Sequence, residues 1–264
     1  MKLIMDNLIQ SATATNENVA YPVENIYDEH PKKVFKAVAV PSNTLKSVVT
    51  ILSNGDCNAL CIVNTNATSV RVVLKKTSTG VKVWPLVDAY AEYDLSGIDT
   101  IIPLMHNISV RYKDLWIDYA DAHQPDPVTI EISFYLASTV ETILYCGVVV
   151  NGLCQVMRDP QYGITESLID TSIIKWTSNQ SLYYRKRDVV RKYSGSIMMD
   201  RETELFFFLR YIAMRKGPAP MAWALVGENN QTWIVYGTMA GAMPSANHDN
   251  YKFSTMSFSV QEVI

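Results

Sequence analysis

Cys57, Cys61, Cys146 and Cys154 are the residues best equipped for chemistry in this chain. Two close thiolate pairs are what a structural zinc ion takes, but such sites use short, recurrent spacings. Here Cys-x3-Cys and Cys-x7-Cys depart from the zinc-knuckle arrangement. Cys61 also lies in the apolar stretch Ala59-Leu60-Cys61-Ile62-Val63, where a free cysteine behaves as a small buried hydrophobe. The core reading is therefore preferred to a four-thiolate site. The opening Met1-Lys2-Leu3-Ile4-Met5-Asp6 is too short an apolar run for a secretory leader, so disulfides are not expected either. His30, His106, His123 and His248 are scattered singly, at no ligand spacing, and read as loop histidines. Asp118, Asp121 and Asp126 could offer oxygens to calcium. They lack an ordered Asp-x-Asp-x-Asp-Gly run and read as a solvated turn. Ser194-Gly195-Ser196 resembles a nucleophile elbow only in outline, with no base partner in view. No Gly-x4-Gly-Lys phosphate loop occurs. The expectation is a protein that is not an enzyme, with no catalytic residues, no cofactor and no metal.

The strongest charge feature is Arg185-Lys186-Arg187, extended by Arg191 and Lys192. It could meet phosphate or an acidic partner. Strand alternation would set Arg187, Val189 and Arg191 on one face, and a solvated or subunit-facing strand is preferred to a nucleic-acid site. Arg185, Lys186, Arg187 and Arg191 are thus the candidate interaction residues. Trp84, Trp116, Trp176, Trp223 and Trp233 are spread along the chain. Exposed aromatics can stack on sugars or fill a partner's pocket, and for most of the five a place in the core is preferred.

The elements that must position these residues are mostly strands. Period-two alternation runs through Ser47–Leu52, which ends at the turn pair Asn54-Gly55, and through Ala59–Val63, Ser69–Leu74 and Val81–Trp84. It returns in Ile108–Tyr112, Val128–Phe134, Trp223–Val226, Thr232–Tyr236 and Phe253–Ile264. In the last stretch Ser254, Met256, Phe258 and Val260 share a face. Short strands separated by turn residues predict a sandwich or barrel. One helix is expected near 201–216, with Asp200 as N-cap, Glu202 and Glu204 in the first turn, and Gly217-Pro218 ending it. Arg158–Gly163 reads as a break. The expectation is mainly β: a sandwich domain over 1–157 and a β-rich domain over 158–264 carrying the helix.

Of the 264 residues 48% are hydrophobic and 19% charged, enough apolar surface for a folded core. Net charge is −3, which gives no basic field for a nucleic-acid partner. No stretch approaches the roughly 18 apolar residues of a membrane helix, so no membrane insertion is expected.

Residues 11–37 resemble the opening of discoidin-like, galactose-binding-like jelly rolls, with Tyr21-Pro22, Asn25-Ile26-Tyr27-Asp28 and Phe35 filling the phrase. Asn58–Asn66 resembles the next strand and its Asn-rich turn. Residues 162–264 are similar to the second half of minor tail proteins of tailed bacteriophages. The matching features are Tyr162-Gly163, Asp170-Thr171-Ser172, a basic strand over Arg185–Lys192, one helix before Gly-Pro, Tyr236-Gly237 and a final Glu262-Val263. Phe35 stands where the jelly-roll opening often has Trp. The resemblance implies a structural tail-tip or baseplate component, assembled in a host cytoplasm and located in the virion. It would form a homo-oligomeric ring with other phage tail proteins as partners, through interface burial and strand-edge pairing. The alternative is a carbohydrate-binding adhesin module for a host surface glycan. A hydrolase would need paired carboxylates or a nucleophile with its base, and neither stands out.

Overall fold

The computed structural model describes residues 1–38, 44–96, 113–119, 126–137, 142–160, 163–176, 182–187, 189–200, 204, 208, 212, 219–226, 233–240, 246–247 and 252–263. The chain divides into two compact units. Leu3–Gln155 with Glu228–Ile234 form one, called N-terminal here. Met1–Lys2, Val156–Gly227 and Val235–Ile264 form the other, called C-terminal.

Strands follow the apolar alternation. The first twelve are β1 (Lys2–Ile4), β2 (Ile9–Ala14), β3 (Phe35–Lys36), β4 (Thr44–Ser53), β5 (Ala59–Thr65), β6 (Ser69–Lys76), β7 (Lys82–Trp84), β8 (Ala91–Asp94), β9 (Lys113–Asp118), β10 (Val128–Leu136), β11 (Tyr145–Gly152) and β12 (Cys154–Val156). In the N-terminal unit one sheet has the order β2-β4-β10-β6-β7, with β8 also on β6, and a second has the order β3-β11-β5-β9. The chain changes sheet from β4 to β5 to β6, and again from β8 through β9 and β10 to β11, which makes a jelly-roll β-sandwich. In β10 every second residue from Val128 to Leu136 is buried. Val49 and Ile51 of β4, Leu60 and Ile62 of β5, Val70 and Val72 of β6, and Leu115 and Ile117 of β9 close with it into one core. The Asn54-Gly55 turn connects strands of different sheets rather than a hairpin, and the left-handed residue there is Asp56 (φ 62). The expected strand Ile108–Tyr112 lies outside the described residues.

The remaining strands are β13 (Thr165–Asp170), β14 (Ile173–Trp176), β15 (Leu182–Arg185), β16 (Val189–Asp200), β17 (Met221–Ala224), β18 (Ile234–Met239), β19 (Ala246–Asn247) and β20 (Phe253–Glu262). In the C-terminal unit β17-β18-β20-β16-β13 lie side by side, with β19 also on β20. The register sets Tyr193, Gly195, Ile197 and Met199 of β16 opposite Val260, Phe258, Met256 and Ser254 of β20. Gly195 leaves room for the Phe258 ring, which a Cβ would meet at 3.1 Å. Trp223 is fully buried, and its indole N–H donates to the Gly237 carbonyl at 3.3 Å. Glu204, Phe208 and Ile212 have helical backbone, four residues apart, with Phe208 and Ile212 buried. The rest of the helix expected near 201–216 lies outside the described residues. Asp200 is the last residue of β16, and its N–H donates to Glu204 Oε2 at 2.8 Å.

Candidate functional site

Among the described residues the C-terminal unit carries a second sheet, of two strands, the hairpin β14–β15. Ile174 pairs with Tyr184 and Trp176 with Leu182. Residues directly opposite in a ladder share a face, so these four form one apolar face. Their exposures are 60%, 54%, 72% and 52% respectively. Lys175, Tyr183 and Arg185 are exposed on the other face, with Ile173 half-buried. Ser172 clamps the base of the hairpin: its N–H donates to Asp170 Oδ1 at 2.8 Å, and its hydroxyl accepts the Arg187 N–H at 3.0 Å. These Ser172 bonds hold the exposed Asp170 carboxyl below its ordinary value. On β13, which pairs with β16, Leu168 is 63% exposed.

The four basic candidates separate into two groups. Arg185 ends β15, and Lys186 and Arg187 follow it, all three exposed at the hairpin. Arg191 is different. It lies within β16 with its side chain 16% exposed, its Nη2 reaches Glu262 Oε1 at 3.2 Å, and its backbone N–H donates to Glu262 Oε2 at 3.1 Å. Burial lowers its pKa, opposed by Tyr193. Arg187 belongs to the connection before β16, so the single strand face expected for Arg187, Val189 and Arg191 does not form. The sequence reading missed the apolar half of this surface. The signal was present in Ile173–Trp176 and Leu182–Arg185, two short apolar runs around a polar segment, and Trp176 departs from the core placement.

The other candidates have structural roles. All four cysteines stand outside any disulfide and are buried. Burial raises the Cys57, Cys61 and Cys146 thiols, Cys146 to about 12, and a protonated buried thiol is a poor nucleophile and metal ligand. The register places Cys61 opposite Val150 and Cys146 opposite Thr65. Ser194-Gly195-Ser196 is the middle of a continuous strand, not a strand-to-helix turn, with Ser194 Oγ 3.2 Å from Ser259 Oγ. Asp118 accepts the Trp116 indole N–H at 2.8 Å, and Asp126 pairs with Lys76 at 2.5 Å. Asp121, His106, His123 and His248 lie outside the described residues, and His30 is exposed. Among the described residues no group of three His, Cys, Asp or Glu is placed to hold a metal.

One polar cluster stands on the outer face of the sandwich. The Arg71 guanidinium lies 4.3 Å from the Tyr90 ring centre and 4.6 Å from that of Tyr135. It donates through Nε to Glu92 and through Nη1 to the Tyr135 hydroxyl, both at 3.0 Å.

Among the described residues, Asp114, on β9, is the carboxyl most displaced from its ordinary range. Burial pushes it up to about 7, against the Asn64 backbone N–H that donates to it at 2.9 Å. Between about pH 4 and 7 the folded protein keeps a proton that the unfolded chain has released. This contribution to stability is therefore complete below pH 4 and lost as pH rises through 7. Asp114→Asn flattens that part of the profile. Urea unfolding of both proteins from pH 4 to 8 checks it, and equal slopes would contradict this state of Asp114.

No protein-family model matches the chain, and no curated protein sequence matches it. Solved structures do. One is the CBM32-3 domain of a family 31 glycoside hydrolase from Clostridium perfringens, with a TM-score of 0.40 and 12% identity, over 57% of this chain and 94% of that one. Another is the family 32 carbohydrate-binding module of C. perfringens NanJ in complex with galactose (TM-score 0.36, 11% identity, 59% and 100%). A third is reduced XRCC1 bound to the DNA polymerase β catalytic domain (0.38, 10%, 55% and 96%).

Proposed function

We propose that this chain is a non-catalytic assembly protein, that its β14–β15 hairpin docks on a neighbouring protein, and that its setting is the tail tip of a phage virion. The observation that carries the docking is the hairpin itself. A two-stranded hairpin is marginal in water unless something covers it, and here Ile174, Trp176, Leu182 and Tyr184 stand more than half exposed on one face. Apolar patches of this kind mark interaction surfaces, and Trp, Tyr and Arg are the side chains that dominate them. The tail-tip setting rests on the resemblance of residues 162–264. Antibody against the chain is expected to label the distal end of the tail on particles of the source phage. Unlabelled intact and disrupted particles, with a major tail protein labelled in parallel, would overturn it.

A second reading, carbohydrate recognition by the jelly-roll unit, is favoured by the Arg71 cluster. A planar guanidinium, two tyrosines and a carboxylate at one surface offer the ring faces and directed hydrogen bonds that sugar hydroxyls need. Galactose is the first probe for titration calorimetry, followed by a glycan array. On this reading Arg71→Ala abolishes the heat of binding, and an array without hits for the native chain rejects it.

A further inference from the structure

We propose that the partner of the hairpin is a second copy of this chain, presenting its N-terminal unit. This rests on the docking role of the hairpin and names its occupant. The charge of the chain is divided between its units. The C-terminal unit holds 13 Lys and Arg against 9 Asp and Glu, a formal +4, and the N-terminal unit holds 10 against 17, a formal −7. The near-neutral total hides two units of opposite sign, which attract between copies.

Each unit also has a patch of matching character. At the hairpin, Lys186 and Arg187 follow the strand that carries Leu182 and Tyr184 of the apolar face, while Lys175 and Arg185 are exposed on its opposite face. On the N-terminal unit, the segment between β7 and β8 exposes Leu86 (73%), Val87 (93%) and Asp88, and Asp94 and Glu92, the latter paired with Arg71, are exposed on the following β8. That patch lies at a sheet edge, where β8 pairs only with β6 among the described residues. Apolar meets apolar and base meets acid when hairpin and patch are brought together. The two surfaces differ, so the contact is heterologous: copies join head to tail, and the chain of copies closes into a ring or continues as a filament.

The test is sedimentation velocity of the full chain across concentration and salt. The expected result is concentration-dependent self-association that weakens as salt rises. Arg185→Glu with Lys186→Glu weakens it at least about tenfold, and Asp88→Lys with Asp94→Lys does the same. An equimolar mixture of the two double variants restores association, because each supplies the charge the other has lost. Circular dichroism melts confirm that both variants fold. A native chain that stays monomeric, loss with only one of the two variant pairs, or a mixture that stays dissociated would each overturn the second copy as partner. Particle labelling at the tail tip that requires Trp176, together with a monomeric free chain, would leave the docking role standing and assign the hairpin to a different protein.

Discussion

Asn151→Leu lowers the unfolding free energy of the N-terminal unit by about 3 kcal/mol, and its melting temperature by roughly 6–10 °C. Asn151 is fully buried near the end of β11, among Ser53, Cys57 and Tyr119, which are buried as well. Its Oδ1 accepts the Tyr119 hydroxyl, and its Nδ2 donates to Ser53 Oγ at 2.6 Å. Ser53 passes the chain on to the Leu8 carbonyl at 3.1 Å. The Asn151 backbone joins in, donating to Asn7 Oδ1 at 3.1 Å and accepting the Leu8 N–H at 2.7 Å. The network therefore ties the segment before β2 to β4 and β11. Leucine has similar volume but neither donates to Ser53 Oγ nor accepts from the Tyr119 hydroxyl, so Ser53 keeps only the Leu8 carbonyl and Tyr119 only that of Ala59, and each buried polar group left short costs about 1–3 kcal/mol. Tyr119→Phe removes a single hydroxyl and leaves the Asn151 Nδ2 bond to Ser53 in place, so it has a smaller effect. Asn54→Ala, whose side chain meets Gln10 at the surface, changes stability by less than about 0.5 kcal/mol. Denaturant unfolding of the three variants decides the matter. An Asn151→Leu protein as stable as the native one would show that the network contributes little.

The fold was legible where burial is one-sided. Val128–Phe134 alternates because one face of β10 meets the core, and Phe253 onward alternates for the same reason. The opening phrase of residues 11–37 also has a physical meaning. Val23 and Ile26 of a short 3-10 turn, and Phe35 of β3, are all buried in the sandwich core. The site was legible only in its charges. Runs of Arg and Lys are conspicuous in one dimension, whereas Ile174, Trp176, Leu182 and Tyr184 become a face only when the β14–β15 register is known. Apolar residues at that spacing look like core, and nothing local in sequence says that the far side of a strand goes uncovered. Arg191 failed in the opposite direction. Its partner Glu262 is 71 residues away on β20, and a pairing over that distance leaves no pattern along the chain.

Arg191 also gives the second large effect. Glu262→Leu removes the carboxylate from a guanidinium whose side chain is only 16% exposed. Breaking one half of a buried pair leaves a charge without its counter-charge and costs about 3–5 kcal/mol. Arg191→Met with Glu262→Leu removes both charges, and the double variant returns to within about 1–2 kcal/mol of the native chain, because the desolvation of the pair offsets much of its attraction. Arg185→Ala, Lys186→Ala and Arg187→Ala, all at exposed positions, leave unfolding within about 0.5 kcal/mol and act on association instead. The basic run thus divides by readout: Arg191 moves stability, and the hairpin cations move self-association and its salt dependence. Thermal melts of the five proteins, with sedimentation of the same samples, separate the two roles. If Glu262→Leu melts with the native chain while the double variant dissociates the assembly, Arg191 joins the docking surface, and its pair with Glu262 is not what holds the C-terminal sheet at that point.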